Sequence, residues 1–202
     1  MTPISRIIVA IAAAATALVI ALYWPGNDGR DPTRPASVSG RPSIGGPFAL
    51  IDHQGRPVTD KDLTGRPILV AFGYTSCPDV CQIMLQNISE ALDHMEDRAP
   101  KIQPLFISFD PDRDSVEVLA EHLSHFHPAI LGLTGSPEAV AAVAGAYKVY
   151  YEKVRGPGPN DYLINHSSYI YLMDQKGQYA SHFNHQATPE DMARAALELV
   201  GG

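Results

Sequence analysis

The sequence predicts an α/β fold in which helices cover both faces of a central mixed sheet, forming a three-layer sandwich. Strand-like and helix-like segments alternate along most of the chain, and two strand-like segments follow each other directly near its end. Alternation favours parallel pairing, and the closing hairpin adds antiparallel strands. The chain has 202 residues, of which 45% are hydrophobic. That is enough for one domain of roughly 150 residues with a real core, plus additional sequence at one end.

Apolar spacing and helix-start signals place the individual elements. Short apolar runs such as residues 67–74 (PILVAFGY) indicate buried strands, whereas apolar residues three and four apart indicate helices. Ser136 and Thr188 each precede Pro-Glu, a typical helix start. In chain order we predict a hairpin turning at 53–55, a strand at 67–74, a helix at 78–97, a strand at 103–109, a helix opened by Asp114 or Ser115, a strand at 130–134, a helix to about 147, an extended segment at 149–154, paired strands at 168–173 and 178–183, and a last helix to about 200. This order fits a thioredoxin-like fold.

Residues 7–24 (IIVAIAAAATALVIALYW) predict one N-terminal transmembrane helix. The segment carries no charge, is near the lower length limit for crossing a hydrocarbon core of about 30 Å, and ends in Tyr23 and Trp24, as interfacial aromatic residues do. The alternative is a cleaved signal peptide, whose apolar part is usually about 7–15 residues and ends at small residues. The Leu-Tyr-Trp-Pro sequence here is a poor cleavage site. Basic residues on the two sides do not determine the topology.

The remaining chain divides around this anchor. Residues 1–6 form a short tail, residues 25–47 are a tether rich in Pro, Gly and Ser, and residues 48–202 form the folded domain. The formal net charge is -7 and the basic residues are scattered, so no nucleic-acid partner is expected. Two cysteines are too few for a disulfide scaffold and point instead to redox or metal chemistry.

Cys77 and Cys81 stand where a predicted strand gives way to a predicted helix, the edge at which open α/β sheets place their sites. With Pro78 as the first helical residue, Cys77 is the expected N-cap, where the positive helix end favours a thiolate. Side chains four residues apart on a helix have Cβ atoms about 5–6 Å apart. A disulfide needs about 3.8 Å, whereas a metal about 2.3 Å from each sulfur needs less closure. The spacing therefore suits a metal at least as well as a disulfide, and its position disfavours the alternative of two small core residues.

A third ligand has to come from among eight histidines. Two thiolates and one imidazole form a soft site of low coordination number, which suits copper. His166 lies between a polar loop and the predicted strand 168–173, from where it can face the first turn of the cysteine helix. The other seven histidines are given no ligand role: His122, His125 and His127 at a solvated helix end, His182 and His185 near the last strand, His53 in a turn, and His94 on the polar side of a helix.

Five segments resemble the Sco/SenC family, whose members assist copper insertion into cytochrome c oxidase. They are GYTSCPDVC, ISFDPDRDS, LTGSPEAV, YKVYYEKV and DYLINHSSYIYLMD. The resemblance covers about residues 48–200 and implies a thioredoxin-like fold, an N-terminal anchor and a copper site. Residue by residue, the two cysteines of the motif fall on Cys77 and Cys81, and its histidine falls on His166. We expect one copper ion per domain, as Cu(I) and also as Cu(II).

The resemblance also implies where the domain is and what it meets. A bacterial member is anchored in the inner membrane with its domain in the periplasm, and a mitochondrial one faces the intermembrane space. The implied partner is the oxidase subunit that carries the binuclear copper site. A second implied partner is an upstream protein that supplies this chain with copper or reduces its thiols.

Three functions compete for the cysteine pair. A metallochaperone delivering copper to the oxidase is the leading interpretation, and a thiol–disulfide oxidoreductase that reduces the cysteines of that copper centre is the alternative. A thiol peroxidase is third, disfavoured because Asp79 is expected to place a like charge near the Cys77 thiolate. Two features disfavour a plain thioredoxin-type reductase. Three residues rather than two separate the cysteines, and the strand at Asn165-His166-Ser167 has no proline where such reductases place a cis-proline opposite their cysteines.

Overall fold

The computed structural model describes residues 43–156, 158 and 161–200. The predicted anchor at 7–24 and nearly all of the tether lie outside these residues, so both remain predictions. Within the described part of the chain, no helix combines the length and apolar character needed to cross a bilayer.

Nine strands and four α-helices make up the described chain. The strands are β1 (Ala49–Asp52), β2 (Pro57–Thr59), β3 (Ile68–Gly73), β4 (Gln103–Ser108), β5 (Leu131–Thr134), β6 (Tyr151–Arg155), β7 (Tyr162–His166), β8 (Tyr169–Met173) and β9 (Tyr179–Asn184). The α-helices are α1 (Val80–Met95), α2 (Val116–Leu123), α3 (Pro137–Ala146) and α4 (Pro189–Glu198). Short 3₁₀ helices occupy Asp60–Leu63 and Glu96–Lys101.

Seven strands form one mixed sheet in the order β2-β1-β5-β4-β3-β8-β9. Strands β3, β4 and β5 run parallel, and the flanking strands pair antiparallel. Within the described part of the chain, strands β6 and β7 pair only with each other, as a separate antiparallel hairpin. The mixed α/β sheet of the prediction is therefore confirmed.

The central strands and the first helix form the core beside the cysteines. Every residue of β3 and β4 is buried, as expected for strands covered on both faces. Helix α1 packs against β3 and α4 through a buried stripe with spacings of three and four. The buried residues of this helix include Cys81, Met84, Leu85, Ile88 and Leu92. This packing holds the first turn of α1 at the end of β3.

Two elements differ from the prediction. Helix α1 begins at Val80 rather than Pro78, because Asp79 has φ −146° and ψ −90°, outside the helical region. His166 lies at the end of strand β7, whereas the sequence predicted it between a polar loop and the start of the following strand. Its strand was missed because the segment YLINH lacks a clear apolar alternation and, among the described strands, pairs only with β6, from which a sequence segment rich in Pro and Gly separates it.

Candidate metal centre

Cys77 lies in the turn between β3 and α1, and Cys81 lies in the first turn of α1. The Cys77 amide donates to the Tyr74 carbonyl at 3.2 Å, which closes a turn before the helix starts. The prediction that Cys77 is the helix N-cap is therefore wrong, and Asp79 takes that position. Both cysteines are buried, and both are free thiols.

Gly73, the last residue of β3, leaves room for the second sulfur. A Cβ at this position would lie 2.8 Å from Cys81 Sγ and 2.6 Å from Cε2 of Phe106. Both distances are shorter than carbon atoms tolerate, so only glycine fits while the sulfur stays in place. The backbone of β3 at Gly73 can therefore approach Cys81 Sγ closely, which places this sulfur at the carboxyl end of the central strands.

His166 brings its imidazole to the two sulfurs from the β6–β7 hairpin. Its Nε2 lies 4.0 Å from Cys77 Sγ and 3.5 Å from Cys81 Sγ. Its Nδ1 lies 2.9 Å from the Ser167 carbonyl oxygen, which can only accept, so Nδ1 carries the proton. The lone pair of Nε2 is then free to face the sulfurs. The ring packs on Phe109, with ring centroids 4.9 Å apart.

The pair of thiols loses its first proton easily, from Cys77, and holds its second proton tightly, on Cys81. The hydrogen bond from the Cys81 thiol lowers the pKa of Cys77 to about 4, and the backbone amides of Asp79 and Cys81 act in the same direction, against the opposing effect of burial. The hydrogen bond to Cys77 raises the pKa of Cys81 strongly, and burial and the Cys77 charge add to this. A cation bound between the sulfurs would displace the second proton.

Asp79 does not act as the sequence analysis expected. Its backbone amide stabilises the Cys77 thiolate, whose pKa is lowered rather than raised. The Asp79 carboxylate therefore does not disfavour the Cys77 thiolate, and the prediction that it would count against a thiol peroxidase is wrong.

The other histidines lie apart from this site. Among the described residues, Cys77, Cys81 and His166 are the only group of three such side chains with ligand atoms close enough for a metal, all within 4.8 Å of one another. His122 does not lie at a solvated helix end as predicted. Its ring packs between Phe106 and Phe126, and its buried Nε2 has no hydrogen-bond partner in the described chain. Burial consequently lowers the pKa of His122.

Sequence reasoning missed the residues that hold the site together. Thr75, Arg113, Asp114 and Tyr162 make the contacts that fix the cysteine loop and the histidine hairpin. The segment ISFDPDRDS contains two of them, but its sequence predicted only the end of a strand and the start of a helix, not these contacts.

Comparison with known proteins identifies the family. A family model described as SCO1/SenC matches residues 36–201. This chain belongs to the SCO1/SenC family. It is 42% identical over 160 residues to Protein SenC of Rhodobacter capsulatus, covering 79% of this chain and 72% of that one. Against Protein sco1 of Schizosaccharomyces pombe the identity is 42% over 159 residues, covering 77% of this chain and 60% of the relative.

Solved structures of the SCO1/SenC family share the fold. The structure of Bradyrhizobium japonicum ScoI with copper bound aligns with a TM-score of 0.74 and 46% identity, covering 77% of this chain and 99% of that chain. A thioredoxin-like α/β fold is thereby confirmed for the described domain. The chain spans only about three fifths of the S. pombe relative.

Proposed function

We propose that this chain binds one copper ion through Cys77, Cys81 and His166 and delivers it to the binuclear copper centre of cytochrome c oxidase. The observation that carries the proposal is the convergence of two sulfurs and a free imidazole nitrogen within 4.8 Å at the edge of the sheet. Thiolate and imidazole are the ligands that copper prefers, and three of them suit Cu(I). The copper-bound ScoI relative supports the choice of metal.

The spacing of the ligand atoms fits a three-coordinate ion. In a trigonal site with metal–sulfur and metal–nitrogen distances of about 2.3 and 2.0 Å, each sulfur lies about 3.7 Å from the nitrogen. The two separations here, 3.5 and 4.0 Å, lie on either side of that value. The site therefore needs only small side-chain movements to accept copper, as Cu(I) and also as Cu(II).

A thiol–disulfide oxidoreductase is the second candidate. Its support is the pKa of Cys77, about 4, which makes this sulfur a thiolate at neutral pH next to a free partner thiol. Cys77 would attack one sulfur of an oxidised disulfide in the oxidase subunit and form a mixed disulfide. Cys81 would then attack Cys77 and release the subunit as a dithiol, and an upstream dithiol reductant would regenerate the pair.

Offering the oxidase subunit in two states separates the candidates. We expect the copper-loaded protein to transfer its ion to the reduced, copper-free subunit. Cys77→Ser and Cys81→Ser should each abolish transfer, whereas His182→Ala, which changes a histidine outside the ligand cluster, should not. After the two proteins are separated, the copper content of each would be measured by atomic absorption, and the thiols by alkylation and mass spectrometry. Thiol exchange with the oxidised subunit, together with no copper transfer to the reduced one, would favour the reductase.

The proposed location follows the family and the predicted anchor. We propose that the domain is tethered to a membrane by residues 7–24 and works outside the cytoplasm, in the periplasm of a bacterium or the intermembrane space of a mitochondrion. Protease digestion of intact spheroplasts tests this. A bacterial domain degraded without lysis supports an extracytoplasmic location, and one protected until lysis contradicts it.

A further inference from the structure

One short segment, residues 110–114 between β4 and α2, contacts both halves of the candidate copper site. At its end, the Asp114 carboxylate is fully buried and accepts hydrogen bonds from the Thr75 amide at 2.9 Å and the Thr75 hydroxyl at 2.6 Å. Ser108 donates to the same carboxylate at 2.5 Å. Thr75 lies two residues before Cys77, so Asp114 fixes the cysteine loop.

The start of the same segment holds the histidine hairpin. The Asp110 carboxylate is also fully buried, and it accepts a 2.5 Å hydrogen bond from the hydroxyl of Tyr162, the first residue of β7. Arg113 pairs with Asp110 through Nε. One terminal nitrogen of Arg113 donates to the Tyr162 carbonyl at 2.9 Å, and its guanidinium lies 3.7 Å from the centre of the Tyr162 ring.

These contacts matter because the hairpin lacks the support of the main sheet. Among the described strands, β6 and β7 pair only with each other, so no ladder of backbone hydrogen bonds connects the His166 strand to the main sheet. The hairpin is held instead by side chains. Besides Arg113 and Asp110, the Tyr74 hydroxyl accepts from the Ile164 amide at 3.2 Å, and the rings of Phe109 and Tyr151 stack.

We propose that Arg113 and Tyr162 are positioning residues, which act through the backbone of β7 to hold His166 at the two sulfurs before copper arrives. This inference rests on the proposed copper site. Because one segment anchors both the cysteine loop and the hairpin, the relative position of the three ligands is set by the protein rather than by the metal. Such preorganisation lowers the entropy lost when the ion binds and so raises its affinity.

Copper affinity of variants of the full chain tests the proposal. Tyr162→Phe removes one hydrogen bond and keeps the ring, and Arg113→Gln removes the ion pair and the stacked guanidinium. Each should weaken Cu(I) binding about tenfold or more in competition with a Cu(I) chelator. The matched control is Arg66→Gln. Arg66 also donates to a backbone carbonyl, that of Pro100, but it lies before the start of β3, whereas the cysteines follow the end of that strand. It should leave the affinity unchanged.

Combination with His166→Ala distinguishes positioning from a general structural role. Residues that act through His166 lose their effect once the imidazole is absent, so neither substitution should weaken copper binding further in the His166→Ala background. An equal additional loss in that background would overturn the proposal. If His166→Ala itself leaves the affinity unchanged, the ligand assignment fails instead, and the two failures are thus distinguishable.

Amide hydrogen exchange of the metal-free protein gives a readout without copper. Tyr162→Phe should speed exchange at residues 162–166 while leaving β3 and β4 as protected as in the unchanged chain. Arg113→Gln should also speed exchange at residues 162–166. If the Arg113→Gln protein does not fold, the result with Tyr162→Phe alone decides the test. Unchanged exchange in the hairpin of Tyr162→Phe would overturn the proposal.

Discussion

His166 turns Nε2 toward the sulfurs because its other ring nitrogen donates to the Ser167 carbonyl at 2.9 Å. The backbone therefore selects the tautomer that leaves a ligand lone pair at the site. His122 differs although it is also half-buried, because its ring packs between two phenylalanines and belongs to no cluster of metal-ligand atoms among the described residues. Proximity to the two thiols, rather than burial, separates the candidate ligand from the other histidines.

The first prediction compares these histidines. His166→Ala should weaken Cu(I) binding by about a hundredfold or more, because loss of a ligand should cost at least as much as the roughly 10–100-fold lost when a partner that orients a ligand is mutated. It should also alter the thiolate-to-Cu(II) charge-transfer band. His122→Ala, His125→Ala and His182→Ala should leave both unchanged. Chelator competition and visible absorption spectroscopy provide the measurements. An unchanged affinity in His166→Ala would move the third ligand elsewhere.

The second prediction concerns Gly73. Gly73→Ala should lower the free energy of unfolding by about 1–3 kcal/mol, because the new methyl group overlaps Cys81 Sγ and the Phe106 ring. It should also weaken copper binding by displacing that sulfur. Denaturant unfolding and copper titration measure the two effects. Gly145→Ala in α3 is the control, since a Cβ there meets nothing within 4 Å, and it should not destabilise the protein.

The third prediction is a pH dependence of the metal-free protein. The folded pKa of Cys77 is about 4, below its ordinary value of 9.0, so the folded state has already lost a proton that the unfolded thiol keeps. Its contribution to stability is therefore complete above about pH 9 and is lost as the pH falls toward 4. Cys81, whose pKa is raised, acts with the opposite sign only above pH 9.

Thiolate absorbance at 240 nm measures this titration directly. We expect one thiolate to persist from neutral pH down to about pH 4 and to be absent in Cys77→Ser. A single absorbance step near pH 9 in the unchanged protein would show that Cys77 has an ordinary pKa.

Individual elements were predicted well where local sequence determines them. The apolar runs of β3 and β4 and the N-caps Ser136 and Thr188 were recognisable, and Ser115 was one of two candidate N-caps, because each depends on neighbours along the chain. The cysteine pair at the end of β3 followed from the same local patterns. These elements set the sheet and half of the candidate site.

The elements that depend on distant contacts were not predicted. Strand β7 is held by residues about fifty positions earlier in the chain, namely Asp110 and Arg113, and nothing in its own sequence shows this. The start of α1 was placed two residues early, since Pro78 favours a first helical turn while the turn at Cys77 and the Asp79 backbone oppose it. The third ligand's strand and the real helix start both needed the tertiary structure.

The whole molecule, as proposed, joins a folded copper domain to a membrane anchor. The fourth prediction is that removal of residues 1–24 yields a soluble, folded protein that still binds one copper ion, because the removed residues precede Ile44, the first described residue that packs against the core. The predicted tether, residues 25–47, therefore ends too late, since Ile44 and Gly45 already belong to the domain. Fractionation, circular dichroism and metal analysis test this fourth prediction. Full-length expression giving an N-terminally shortened protein in the soluble periplasmic fraction would favour signal cleavage over an anchor.

The central claim is that two sulfurs and one imidazole hold a copper ion in this domain. Copper-edge X-ray absorption of the Cu(I)-loaded protein tests it most directly. We predict two sulfur ligands at about 2.3 Å and one nitrogen at about 2.0 Å, with the nitrogen lost in His166→Ala. Copper bound by nitrogen and oxygen alone, or a reduced protein that takes up zinc and no copper when offered both, would contradict the account.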